Sequence, residues 1–212
     1  MKNNILSLFI LFMILSCSSK IKDVQIKHIK NVKNYKGFIS NEEIFDFKKR
    51  DTIFIYHPIS FRIENNTGRN LKISSLKDNF QVGVFYPFIY NNKYFNEVEK
   101  PIELSSGDDT DITMFVHLPV PANLLEKKYL DELLISCNDI KCDTVSIKEI
   151  NPRLQFVIDS LLKKKSISAH LYEDNDFYGG ALVMYCVNKQ KSETFKMDSL
   201  SKQKTSFRYN CD

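Results

Sequence analysis

The sequence predicts a mainly β protein, an antiparallel β-sandwich with a helix-plus-strands extension at its C-terminal end. Three observations carry this. Apolar and polar residues alternate with period two in many short segments spaced roughly ten residues apart. Polar turn clusters separate them, such as Asn65-Asn66-Thr67-Gly68-Arg69-Asn70 and Ser105-Ser106-Gly107-Asp108-Asp109. One stretch carries a strong helical stripe, and it begins at Asn151.

In chain order, Val24, Ile26 and Ile29 offer strand positions within a polar, basic stem. Residues 43–47 and 52–56 are short strand candidates separated by Lys48-Lys49-Arg50-Asp51. Ile59, Phe61 and Ile63 alternate with Ser60, Arg62 and Glu64; after the Asn-rich turn, Leu71 and Ile73 alternate with Lys72 and Ser74. The pattern reads as a hairpin with one buried face. Residues 80–90 read as strand, Asn91-Asn92 as turn, and 93–95 as the return. Residues 101–104 lead to the Gly107 turn. Residues 110–118 form a strand with Ile112, Met114 and Val116 on one face, and 123–130 suggest a short helix. Residues 133–137 and 142–147 read as a further hairpin.

Asn151-Pro152 is an N-cap followed by proline at the first helical position, where the missing N–H is harmless. Leu154, Val157, Ile158, Leu161 and Leu162 form the stripe, and Lys163-Lys164-Lys165 complements the negative end of the helix dipole. Residues 167–172, 181–187 and 193–197 read as strands, with Gly179-Gly180 marking a bend or bulge. Residues 59–73, with the later Pro101-Ile102-Glu103-Leu104-Ser105-Ser106-Gly107, resemble Ig-like sandwiches of extracellular bacterial proteins. The Cys…Trp…Cys hallmark of antibody-type domains is missing, since the chain has no Trp.

The N-terminus carries an address. Lys2 precedes an eleven-residue apolar run, Ile5 to Leu15, broken only by Ser7. A bilayer span takes about 20 apolar residues, so the run fits the core of a signal peptide. It ends in Ile14-Leu15-Ser16-Cys17, which resembles the lipobox of bacterial lipoproteins, with Ile14 in place of the usual Leu and Leu15 in place of a small residue. The resemblance implies cleavage before Cys17, diacylglycerol on its sulfur, and a membrane-anchored chain. By the same family rule, Ser18 rather than Asp points to the outer membrane. The alternative is an ordinary secretory signal. The organisation expected is signal peptide 1–16, lipidated flexible linker 17–36, sandwich 37–150 and α+β extension 151–212.

Residues 17–50 hold nine Lys/Arg against four Asp/Glu, and residues 51–150 hold ten against fifteen. A basic stem on an acidic body lacks the clustered basic face of a nucleic-acid binder. The stem lysines either rest on anionic head groups or simply solvate a linker. An even number of cysteines remains after Cys17. In an exported chain Cys137, Cys142, Cys186 and Cys211 suggest disulfides. Cys137 and Cys142 flank a four-residue loop, and opposed strand residues lie within the span a disulfide needs. Cys137–Cys142 is therefore expected, with Cys186–Cys211 by elimination. Zinc is disfavoured, because C-x₄-C is not a knuckle spacing and no His lies near.

Catalytic and cofactor motifs are missing: no GxSxG, no HExxH, no phosphate-binding glycine loop and no dinucleotide fingerprint. No cofactor or metal is expected. His28, His57, His117 and His170 stand far apart, and the acidic groups Asp108, Asp109, Asp111 and Glu173, Asp174, Asp176 read as solvated turns. The sharper feature is seven aromatics within residues 80–95. In Phe85-Tyr86-Pro87-Phe88-Ile89-Tyr90 they fall on both faces of a strand, and Pro87 argues for a sheet edge. One face enters the core; the other meets solvent, a ligand or residues 151–212. Tyr86, Tyr90 and Tyr94 are the contact residues of the first functional reading, a non-enzymatic envelope module that binds a protein or glycan. The alternative is an envelope-polymer hydrolase using gathered carboxylates, and a plainer one is a structural spacer.

Overall fold

A computed structural model describes residues 24–31, 33–40, 51–78, 86–129, 131, 144–173 and 180–196. In chain order the strands are β1 (Val24–His28), β2 (Phe38–Ser40), β3 (Thr52–Asn65), β4 (Leu71–Asp78), β5 (Phe88–Tyr90) and β6 (Lys93–Phe95). They continue with β7 (Ile102–Leu104), β8 (Asp109–Pro121), β9 (Thr144–Ser146), β10 (Ser166–Tyr172), β11 (Ala181–Cys186) and β12 (Lys191–Lys196). Helix α1 (Pro152–Leu162) precedes β10.

Two antiparallel sheets result, giving the expected sandwich. The first runs β6-β5-β8-β3-β2-β9, and β1 shares the β2 side of β3. β1 pairs with the far end of β3 (Val24 opposite Asn65), while β2 pairs with its near end (Phe38 opposite Tyr56). The second sheet runs β12-β11-β10-β4-β7. Residues 52–56 and 59–63, read separately in the sequence, form one strand that passes straight through His57-Pro58.

The core lies between the sheets. Ile53, Ile55, Ile59, Phe61 and Ile63 of β3 share it with Ile112, Met114, Val116, Leu118 and Val120 of β8. From the second sheet come Leu71 and Ile73, Ile167, Ala169 and Leu171, and Ala181 and Val183. Each fully buried aliphatic side chain contributes roughly 1.5–3 kcal/mol. In β4 the inward parity switches. The β10 register jumps from His170↔Ser75 to Leu171↔Ile73, so Ser74 is an extra, bulged residue. Leu71 and Ile73 face inward before it, Leu76 and Asp78 after it. Asp78 is thus fully buried, with the Lys165 ammonium 2.5 Å from its carboxylate. Burial raises the Asp78 pKa, and Lys165 opposes that shift. Lys165, expected only at the helix dipole, instead neutralises a buried charge.

Helix α1 carries the chain from the first sheet to the second. The Asn151 side chain accepts from Leu154 N at 2.9 Å and donates to Leu124 O at 2.8 Å, so it both caps the helix and fixes its start. Leu154 and Ile158 enter the core, while Phe156 stays 74% exposed. In the stretch read as a short helix, a 3-10 turn, Ala122–Leu124, is followed by helical residues 127–129. Gly180 packs so closely on β10 that a Cβ there would fall 2.3 Å from Leu171 O, which requires glycine.

Three expectations change. The segment around Asn65 is not a hairpin: β3 and β4 do not pair, and the turn carries the chain from one sheet to the other. Alternation gives each strand one buried face but does not identify the strand it pairs with. Second, β1 lies inside the stretch expected as a flexible linker, with Val24 and Ile26 buried. Third, the strands of the C-terminal extension are not appended to a finished sandwich, since β10 pairs with β4 within the second sheet.

Asn65 fixes the crossing. Its side chain is fully buried, and its Nδ2 lies 2.7, 3.0 and 2.9 Å from the carbonyls of Arg69, Leu104 and Ser105. Its Oδ1 accepts from Thr67 N at 3.1 Å and Thr67 Oγ1 at 2.7 Å. Its backbone exchanges bonds with the next turn, donating to Asp108 O at 2.9 Å and accepting from Gly107 N at 2.8 Å. Gly107 supplies the positive φ, 80°, that this turn needs. Asn65→Ala removes the side-chain donor to the buried Leu104 carbonyl and to the Arg69 and Ser105 carbonyls, and takes from Thr67 its side-chain acceptor. We expect a loss on the order of 3 kcal/mol in unfolding free energy, read from the urea midpoint. An unchanged midpoint would show that the turn holds without this side chain.

Candidate functional site

The aromatic segment forms a hairpin at the edge of the first sheet. Asn91 and Asn92 take φ of 48° and 63°, the left-handed pair that a two-residue hairpin turn demands and that Asn tolerates. Pro87 accepts a bond from Phe115 N at 2.8 Å but has no N–H to return, and the β5 ladder ends there. The register sets Phe88 opposite Phe95, Ile89 opposite Tyr94 and Tyr90 opposite Lys93. Phe88, Tyr90 and Phe95 therefore share the core-side face, and Ile89 and Tyr94 the outer one.

The three candidate tyrosines separate. Tyr86 is 4% exposed within the core, which removes it from the contact set. Tyr90 is half-buried on the inner face, and Tyr94 is 53% exposed on the outer one. Alternation within the hairpin explains the split of Tyr90 and Tyr94. For Tyr86, the burial usual for a large ring outweighs its place near a sheet edge.

Tyr90 lines a cleft. Between the β5–β6 hairpin of the first sheet and β7 of the second lies a cavity of about 480 Å³. Phe88, Tyr90, Phe95 and Ile102 form its apolar wall, with Phe88 and Phe95 stacked at 5.3 Å. Glu97, Glu99, Lys100 and Glu103 form its rim, and all four are exposed. Lys72 lies 3.7 Å from Glu103, while neither Glu97 nor Glu99 makes an ion pair among the described residues. The volume and the mix of aromatic wall and few polar groups match ordinary small-ligand sites.

The outer face of the first sheet carries a second aromatic feature, which sequence reading missed. Ring centroids follow one another from Phe54 to His117 (4.3 Å), Tyr56 (4.8 Å), Phe38 (4.7 Å), Phe115 (5.1 Å) and Tyr94 (6.2 Å). These residues come from β2, β3, β6 and β8, so no local pattern announces them. The first four rings stack on one another, which engages their faces. Beyond them, Ser60 Oγ and Thr113 Oγ1 lie 2.7 Å apart beneath a strap. The strap leaves β1 through Ile29 N, bonded to Ser60 O at 3.0 Å, and reaches across to Asn92 through Lys33.

The remaining candidates are structural. Arg62 binds Asp111 at 2.6 Å and Asp109 at 3.2 Å, which accounts for two members of that acidic cluster. Arg69 pairs with Glu173 at 2.8 Å, while Asp174 and Asp176 lie outside the described residues. His170 Nδ1 lies 2.6 Å from Ser74 Oγ at the β4 bulge, but among the described residues no carboxylate orients its Nε2 and none gives it a hydrogen-bond partner. Cys186 is fully buried at the end of β11. Cys17, Cys137, Cys142 and Cys211 lie outside the described residues. No family model, curated protein or solved structure matches the chain.

Burial lowers His57 and His117 from 6.5 to about 4, with Asp159 opposing the shift at His57 and Lys165 reinforcing it at His117. Between pH 6.5 and 4 the unfolded chain therefore binds more protons than the folded one, and stability falls as pH drops through that window. We expect the unfolding midpoint to decline from pH 7 to 4, and His57→Gln with His117→Gln to flatten the decline; an unchanged slope would exclude these rings as its source. Tyr86→Ala should cost about 3–5 kcal/mol, as for other buried aromatics, and Tyr94→Ala less than about 0.5 kcal/mol. Equal losses in thermal unfolding would contradict their assignment to core and surface.

Proposed function

We propose that this chain is an envelope lipoprotein, anchored through lipid on Cys17, whose sandwich is a non-enzymatic binding module. The carrying observation is the aromatic cleft between β5–β6 and β7, where Tyr90 and Phe95 stand half-buried at the border of core and solvent. The anchor rests on the lipobox-like Ser16-Cys17 after the apolar run. A Cys186–Cys211 disulfide belongs to the same reading of an oxidising compartment.

The hydrolase reading has one feature in its favour, since three carboxylates border the cleft. A glycosidase-type acid, however, is a carboxyl withdrawn from water so that it keeps its proton. Glu97, Glu99 and Glu103 are all exposed, the Glu103 side chain by 79%. Among the described residues the Ser74–His170 contact lacks the third group of a triad. Exposed carboxylates at a rim serve attraction better than proton transfer.

Intact mass of the native protein, with and without thiol alkylation, tests anchor and disulfide together. Acyl mass on a chain beginning at Cys17 and a protected Cys186 are expected; an unacylated or uncut chain overturns the anchor. Pull-down from envelope membranes tests the module. The mature protein should retain a partner that Tyr90→Ala loses at least tenfold and Tyr94→Ala keeps. Release of glycan fragments that Glu97→Gln abolishes would instead establish the hydrolase.

A further inference from the structure

The cleft combines two properties that rarely serve the same neutral ligand. Its wall is aromatic: Phe88, Tyr90 and Phe95, two of them half-buried and open to an occupant. Its rim is acidic: among the residues that line it, Glu97, Glu99 and Glu103 stand against Lys100, with Lys72 beside Glu103 and Lys93, opposite Tyr90, outside the lining. An apolar ligand gains nothing from the carboxylates, and an anion meets repulsion. A strongly hydrated metal cation gains little from the rings.

A weakly hydrated organic cation gains from both. Aromatic faces carry negative quadrupole charge and attract a cation within about 6 Å of the ring centroid. Exposed carboxylates add a field that raises the local cation concentration and weakens with salt. Guanidinium is less strongly hydrated than a primary ammonium, and a quaternary ammonium has no N–H to leave unbonded, so such groups enter an aromatic wall at lower desolvation cost. The 480 Å³ volume leaves room for an apolar stem as well.

We propose that the cleft binds an organic cation, a quaternary ammonium or guanidinium group on an apolar stem, with Tyr90 and Phe95 against the cation and Glu97 and Glu99 at its mouth. This rests on the binding-module reading and names its ligand class. Tyr94 and the outer ring row take no part.

The test titrates the mature lipidated protein, held in a glucoside detergent without cationic head groups, with choline, agmatine and 3,3-dimethyl-1-butanol, the neutral isostere of choline. Binding is read by ligand-detected NMR. At least one cation should bind, choline about tenfold tighter than its isostere if it is the one, which is the scale of a largely desolvated cation–π contact. Tyr90→Leu, which keeps an apolar wall without a π face, should weaken cation binding about fivefold to tenfold and leave the isostere unchanged. Glu97→Gln with Glu99→Gln should reduce both the affinity and its salt dependence. Choline and its isostere binding alike, or cation binding that Tyr90→Leu leaves intact, would overturn the proposal. Failure of both cations while Tyr90 still governs capture of a membrane partner would overturn the ligand class alone. Loss of both signals would overturn the binding module too.

Discussion

The sandwich depends on one buried amide. A strand that ends in one sheet must hand the chain to the other without a helix or a long loop, and at that corner Asn65 is buried while most turn residues around it stay exposed. Asn65 resolves this with a side chain that donates toward three carbonyls and accepts from Thr67, while its own backbone locks to the Gly107 turn. No aliphatic residue offers both a donor and an acceptor in that volume. The corner then sets β4 beside β7 in the second sheet and holds the end of β3 against the start of β8. A polar residue in a core is a weak source of net energy but a strong source of uniqueness, because alternatives leave its partners unsatisfied.

The sequence carries the strands more clearly than their partners. Ile112, Met114 and Val116 announce their buried face, and Asn151-Pro152 announces the helix start. Both are local signals that depend on neighbours within a few residues. The crossing at Asn65 is not legible in this way, because a hairpin and a sheet-to-sheet turn share the same alternation and the same Asn/Gly-rich composition. Nor is the parity switch at Ser74, which a single bulged residue produces and which turns Asp78 inward. A reader of the sequence would place that carboxylate by simple alternation and miss the ion pair with Lys165, 87 residues away.

For the site, the density of aromatics in residues 80–95 was legible, and its division was not. The two-residue turn at Asn91-Asn92 pairs Tyr94 with Ile89 and so sends it to the face opposite Tyr90. The cleft itself is built by residues from both sheets, the β5–β6 hairpin of the first and the start of β7 in the second, joined by residues 97–101. Nothing in residues 97–103 read alone implies this. The aromatic row on the outer face is still less legible, being assembled from strands up to 79 residues apart in sequence, from Phe38 to His117.

The pairing of Val24 with Asn65 also governs posture. Under the proposed anchor, six residues, and so seven Cα-to-Cα steps, separate the lipid-bearing Cys17 from Val24, the first described residue held in a sheet. Fully stretched, they reach about 25 Å, a leash shorter than a domain is wide. The body would then stand with its Asn65 corner toward the bilayer and the start of α1 pointing away. The Asn91-Asn92 tip, which follows Tyr90 opposite Ile112, would hang on the same lower side. Lipid there would dictate which way up the protein sits, and under that proposal the cleft would sample molecules at the membrane surface rather than those in the open compartment.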